Sequence, residues 1–243
     1  DRARRAETVV ATVSSGLSIA ELASGRSPGF RRHFMGMHLF RPVASVVGTE
    51  LIAGPETDRE ELGMIRAMLR KRLGRVVVEC RDTPGFAGNR IVFKVLNECA
   101  QLAEAHGVAR IDYLIGPYTG RAKQPLATID ALGWDVHEAI VDQVFDRTSD
   151  EAHDAFRMPV YMQELLVKGH LGDKTPKLGG FYRRVVIDAR KVDMVLDPKI
   201  GGYVERRATE PVAFVEQSKR LHAEGRYAEA LAVLLHATGP EAE

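Results

Sequence analysis

The strongest constraint on this chain is a change of hydrophobic period near residue 82. Before it, apolar residues come in short runs at 9–13, 34–40, 46–53 and 76–80, the last being the continuous VVVEC. Short runs of this kind, bounded by Gly, Pro and Ser, form strands. Helical patterns separate them: one begins near Ser18, and another places Leu62, Ile65, Leu69 and Leu73 behind the capping box TDRE at 57–60, with Gly74 as the stop. The runs at 34–40 and 46–53 flank Pro42 and are expected to pair as an antiparallel hairpin. After Asp82 the strand signal stops. Ile91, Val95, Leu96, Cys99 and Leu102 fall on one helix ending at Gly107, and residues 126–146 form a second long helical stretch. TSDE at 148–151 is a further capping box, and Pro159 and Gly169 bracket another helix. The fold class expected is α/β followed by all-α. Residues 172–184 (GDKTPKLGGFYRR) are expected to form turns and edge structure, and 185–243 a linker or peripheral helical arm.

Composition removes several function classes. With 34 Lys+Arg against 33 Asp+Glu the net charge is +1, too small a field to select nucleic acid or an anionic membrane surface. No apolar run approaches the roughly 18 residues of a membrane span, and no basic-then-apolar segment opens the chain, so the expected location is cytoplasmic. Cys80 and Cys99 lack metal-ligand spacing and are expected to be free, buried thiols; no metal site is expected. His106, His137 and His153 are expected on the surface or at helix ends. The sequence G-x-G-x-x-G, with which a doubly wound nucleotide domain cradles phosphate, does not occur, and the chain is expected to start partway through such a domain.

Candidate chemistry gathers at three places. His38 and Glu50 lie twelve positions apart with Ala44 midway, so a roughly symmetric hairpin sets them opposite each other on one face. A carboxylate on one ring nitrogen fixes the imidazole tautomer and leaves the other nitrogen for a substrate proton. Spacing alone favours a structural ion pair over this catalytic reading. Asn89 sits where DTPGFAGNR turns from strand to helix, as a helix-entry polar group or as a ligand for a substrate oxygen. Ser14 and Ser15 follow a strand at its carboxyl end, the edge where open α/β sheets bind ligands, or simply cap a helix.

Five ordered strings, SSGLSI at 14–19, GMHLFRPV at 36–43, GTELIAGPET at 48–57, DTPGFAGNR at 82–90 and KTPKLGGFY at 174–182, make residues 8–184 resemble the 3-hydroxyacyl-CoA dehydrogenase family. The tail from 185 is similar to the connecting segment in members fused to an enoyl-CoA hydratase. The resemblance implies the C-terminal half of a Rossmann-like NAD-binding domain at 1–82 and the helical dehydrogenase C-terminal domain at 83–184. It implies NAD as cofactor and acyl-CoA as substrate, with oxidation of a 3-hydroxyacyl-CoA to the 3-oxoacyl-CoA in fatty-acid β-oxidation. In that scheme His38 is the general base, Glu50 orients it, Asn89 and Ser15 meet the substrate, and Ser15 also borders the nicotinamide. Lys174 contacts NAD, and Arg41 occupies a nicotinamide-side position where the family usually carries asparagine. The implied partners are a second copy of the chain, in a homodimer, and a fused or associated hydratase. The alternative from a different class is a non-catalytic helical assembly or acyl-CoA-binding module.

Overall fold

The computed structural model describes residues 4–40, 42–149 and 151–242. They form two compact units: residues up to Lys94 with Gln143–His153, and Val95–Asp142 with the chain from Asp154 onward.

In the first unit, strand β1 (Val10–Thr12) leads through two short helices, α1 (Ile19–Ala23) and α2 (Pro28–Arg32), to strands β2 (Phe34–Leu39) and β3 (Gly48–Ala53). Helix α3 (Arg59–Leu73), strand β4 (Val76–Cys80) and the start of helix α4 (Gly88–His106) follow. The sheet order is β1-β2-β3-β4, with β1 parallel to β2, β2 antiparallel to β3, and β3 parallel to β4. Because strand side chains alternate, the sheet has two apolar faces. Phe34 and Ile52 pack with Ile19, Ala23 and Phe86 on one, while Met35 and Leu51 pack with Leu62, Leu69 and Val77 on the other. Fully burying side chains such as Ile19, Ile52, Met35 and Leu51 contributes about 1.5–3 kcal/mol each. The face holding Phe34 and Ile52 also carries His38 and Glu50, so the same alternation that builds the core aims both polar groups to one side.

The cap of α3 lies one residue later than expected. Asp58, not Thr57, accepts from the backbone N–H groups of Glu60 and Glu61. Thr57 is buried, and its hydroxyl donates to Phe34 O at 2.6 Å while accepting from Gly54 N at 2.8 Å. A buried hydroxyl with two backbone partners at hand satisfies those first.

The second unit continues α4 and adds helices α5 (Val108–Leu114), α6 (Pro125–Leu132), α7 (Trp134–Arg147) and α8 (Val160–Val167). The last residues of α7, from Gln143, belong to the first unit. The stretch 126–146 is therefore two helices, broken at Gly133, whose φ of +97° favours glycine. Another difference lies beyond residue 181. The chain from 185, expected to be a linker or peripheral helical arm, instead continues an antiparallel sheet, β5 (Tyr182–Ile187), β6 (Arg190–Asp197) and β7 (Gly202–Glu205), before helices α9 (Ala213–Ala223) and α10 (Tyr227–Leu235). Val195 and Leu196 of β6 are buried, so this sheet belongs to the packed unit.

Buried polar groups tie these helices together. Asp112 accepts from Leu126 N, Ala127 N and the Tyr182 hydroxyl, joining α5, α6 and β5. Asp130 accepts from Trp134 Nε1, Phe181 N and Tyr182 N. Burial pushes the Asp130 carboxyl up to about 7 even though those three bonds oppose the rise. His137 is fully buried rather than on the surface: its Nε2 lies 3.0 Å from Asn97 Oδ1, and burial pushes the imidazole down to about 3. The amide of Asn97 also donates to the carbonyls of Ala155 and Arg157, so His137 Nε2 joins a buried polar knot built on Asn97. No helix among the described residues is long and apolar enough to cross a membrane.

Candidate active site

The hairpin register sets His38 directly opposite Glu50. Their side chains meet, Nδ1 to Oε2 at 2.6 Å, with the two residues only 4% and 3% exposed. Phe40 lies edge-on to the imidazole at 4.5 Å between centroids, and Phe86 is tilted against it at 5.9 Å. Two aromatic walls hold the ring in a nearly dry environment, where electrostatic interactions are stronger than in water.

The other carboxylate oxygen of Glu50 is held by the segment that enters α4. Its Oε1 accepts from Ala87 N at 3.0 Å and Gly88 N at 2.7 Å, and the thiol of Cys80 lies 3.4 Å away. These backbone groups are unsatisfied donors at the start of a helix, which favours negative charge there. Burial acts to raise the Glu50 carboxyl, but the bonds from His38, Gly88, Ala87 and Cys80 outweigh it and hold the group below the usual carboxylate range. Glu50 is thus an anion with its tautomer-fixing oxygen committed to His38. Gly88 makes the approach possible, since a Cβ there would stand 2.4 Å from Phe40 Cζ. The turn before it is tight: Gly85 has φ +71° and Phe86, a non-glycine residue, φ +51°.

The loop after β1 is fixed from three sides. Asn89 is buried and its amide donates to Ser15 O at 2.6 Å, while Gln143 donates to Gly16 O at 3.0 Å. Asp82 accepts from Ser18 Oγ and from the N–H groups of Ile19 and Ala20, binding the start of α1 to the end of β4. No local sequence pattern marks Asp82 or Gln143 for these roles, since each acts across more than 60 residues. Ser15 is exposed, and its hydroxyl makes no hydrogen bond among the described residues. Since β1 and β2 run parallel, the loop carrying Ser15 and the end of β2 carrying His38 lie at the same edge of the sheet.

The remaining expected site residues are not joined to this cluster. Lys174 lies in the second unit, exposed and paired with Asp135 at 2.7 Å. That ammonium, ahead of the smaller opposing effect of burial, holds the Asp135 carboxyl below its ordinary value. Arg41 lies outside the described residues. Cys80 is half-buried and Cys99 buried, both as free thiols.

A His–carboxylate pair at the end of a strand, a serine loop at the same edge and a helix entry gripping the carboxylate form the setting for proton transfer to or from a hydroxyl. Residues 1–83 match the family description "3-hydroxyacyl-CoA dehydrogenase, NAD binding domain", and residues 85–184 match "3-hydroxyacyl-CoA dehydrogenase, C-terminal domain". The chain belongs to the 3-hydroxyacyl-CoA dehydrogenase family. A probable 3-hydroxyacyl-CoA dehydrogenase of Bacillus subtilis is 34% identical over 209 residues, covering 85% of this chain and 26% of the relative. The mitochondrial hydroxyacyl-coenzyme A dehydrogenase of Sus scrofa is 29% identical over 185 residues, 75% of this chain and 57% of the relative. Among solved structures, (S)-3-hydroxybutyryl-CoA dehydrogenase from Ralstonia eutropha superposes with a TM-score of 0.61 at 30% identity, covering 69% of this chain and 58% of that one. FadB2 of M. tuberculosis shares the fold, with a TM-score of 0.67 at 24% identity over 75% of this chain and 62% of that one. The chain thus spans a quarter to about six-tenths of the relatives it matches.

The family's NAD-binding domain indicates NAD as the cofactor. The described residues offer such a ligand polar groups at one edge: the exposed Ser15 hydroxyl and the His38 end of β2 lie where open α/β sheets bind ligands. A glycine-rich phosphate turn is not part of the 243 residues.

Proposed function

We propose that this protein acts in the NAD-dependent oxidation of (3S)-3-hydroxyacyl-CoA to 3-oxoacyl-CoA, the dehydrogenation step of fatty-acid β-oxidation. The observation that carries the proposal is the buried contact of 2.6 Å between His38 Nδ1 and Glu50 Oε2, in register on one sheet face. With Nδ1 committed to the carboxylate, Nε2 is the ring nitrogen left to take the proton from the substrate's 3-hydroxyl. The oxygen keeps the electron pair and forms the C3 carbonyl as hydride departs from C3; NAD, when bound, would supply the hydride acceptor. Glu50 stabilises the imidazolium formed, and its hold by Ala87 and Gly88 keeps the ring from turning. In this reading Ser15 and Asn89 hold the substrate at the end of β1, with Ser15 also bordering the nicotinamide. Lys174 and Arg41 are proposed as cofactor contacts on the family resemblance, not on their placement. A homodimer is part of the proposal, and light scattering at two concentrations tests it.

The test is NADH consumption with acetoacetyl-CoA by the wild-type chain and by His38→Gln. The expected result is turnover in the wild type and a loss of at least about 10²-fold in the variant. A His38→Gln protein as active as the wild type, or a folded wild type that binds both acyl-CoA and NADH without turnover, overturns the proposal.

A further inference from the structure

We propose that Cys80 is a positioning residue for the His38–Glu50 pair, its thiol donating to Glu50 Oε1 and so helping to fix the carboxylate that fixes the imidazole. The inference rests on the reading of His38 and Glu50 as a proton-transfer pair. It starts from register. Glu50 of β3 pairs with Val78 of β4, and Cys80 stands two residues further along on the same face, a diagonal neighbour within reach of a long side chain. Its Sγ lies 3.4 Å from Glu50 Oε1, against 3.9 Å to the other acceptor nearby, Val78 O. Glu50 Oε1 therefore has three donors from three places: Ala87, Gly88 and Cys80.

A thiol serves here only while it keeps its proton, because a thiolate would repel the carboxylate. Burial first, and the neighbouring Glu50 charge second, push the Cys80 thiol up to about 11, so at neutral pH it is a donor. The two groups constrain each other in opposite senses. Glu50 keeps Cys80 protonated and poor as a nucleophile, and the proton of Cys80 helps keep Glu50 ionised. Cys99, buried in the second unit and distant in sequence from the pair, supplies an internal control.

Two measurements on the full chain test this, neither requiring cofactor or turnover. The first follows the Glu50 side-chain carboxyl carbon by NMR against pH, assigned with Glu50→Gln, in the wild type, Cys80→Ala and Cys80→Ser. Cys80→Ala is expected to raise the Glu50 midpoint by about half a unit, the size suited to a weak S–H donor beside two N–H donors. Cys80→Ser, which restores a donor, is expected to return the midpoint to the wild-type value or below it. No change in Cys80→Ala, or equal changes in both variants, overturns the proposal. The second measures iodoacetamide alkylation of Cys80 at pH 8 in wild type and Glu50→Gln. Removing the charge should speed the reaction several-fold, and an unchanged rate overturns the coupling. This arm keeps the native cysteine, so it decides the matter even if Cys80→Ala does not fold. A Glu50 that ignores Cys80 defeats this inference alone, whereas a His38→Gln enzyme with full activity defeats the proton-transfer reading on which it rests.

Discussion

Replacing Glu50 by glutamine asks the site to choose between two hydrogen-bond patterns, and the geometry says which it will choose. The carboxylate accepts on both oxygens: from His38 at 2.6 Å on one, and from Gly88 and Ala87 at 2.7 and 3.0 Å on the other. An amide has one acceptor end and one donor end. Turning its NH₂ toward α4 would set it against two backbone N–H groups and leave both without an acceptor, at about 1–3 kcal/mol each. Turning it toward His38 requires only that the imidazole shift its proton from Nδ1 to Nε2. The second arrangement is favoured by several kcal/mol, so Glu50→Gln should carry the Nε2–H tautomer and present a donor where the mechanism needs an acceptor. Long-range ¹H–¹⁵N spectra of the imidazole read this directly. Turnover should fall by about 10³–10⁴-fold, the scale seen when an orienting carboxylate becomes an amide and the wrong tautomer results. A variant whose His38 keeps the wild-type tautomer, or whose rate stays within tenfold of wild type, would refute the reasoning.

Three further outcomes are expected. Asp130 has a raised carboxyl value near 7 in the fold against an ordinary 3.8, so the native state binds the extra proton; its contribution to stability is present below about 4 and is lost as pH rises toward 7. Asp130→Asn should therefore flatten the fall in thermal midpoint between pH 5 and 7, and calorimetry at those pH values checks it. Gly180→Ala would bring a Cβ to 2.1 Å from Asp130 Oδ1 and 2.7 Å from Trp134 Nε1, so a destabilisation of about 1–3 kcal/mol or more is expected in urea titrations. Asp82→Ala removes three hydrogen bonds at the start of α1 and should cost about 1–2 kcal/mol, with faster amide exchange at Ile19 and Ala20 as its local sign.

What the sequence revealed of this protein follows the range of the interactions concerned. The four strands of the first unit and the pairing of His38 with Glu50 were legible because they depend on alternation and on a twelve-residue separation across one hairpin. The break at Gly133 was hidden by apolar residues that continue at helical spacing on both sides of it. Strand β6 is hard to read in the sequence although Val192, Met194, Val195 and Leu196 form an apolar run broken only by Asp193, because the flanking Arg, Lys and Asp resemble a solvated arm. The full environment of Glu50 was out of reach of any local pattern: its helix-entry donors lie 37 and 38 residues along the chain. His137 misled for a related reason, since its burial depends on Asn97, forty positions earlier, which satisfies one nitrogen.

The grip of Ala87 and Gly88 on Glu50 also bears on how the unit assembles. A hairpin of β2 and β3 alone would set imidazole and carboxylate opposite each other yet leave one carboxylate oxygen in water, free to swing. Closure requires β4 to dock beside β3 and the turn through Phe86 to fold back over the sheet. The tautomer of one histidine is therefore a reporter on the last stage of that process: in refolding experiments its Nδ1–H signal should emerge with protection of β4 amides, after the hairpin itself has formed.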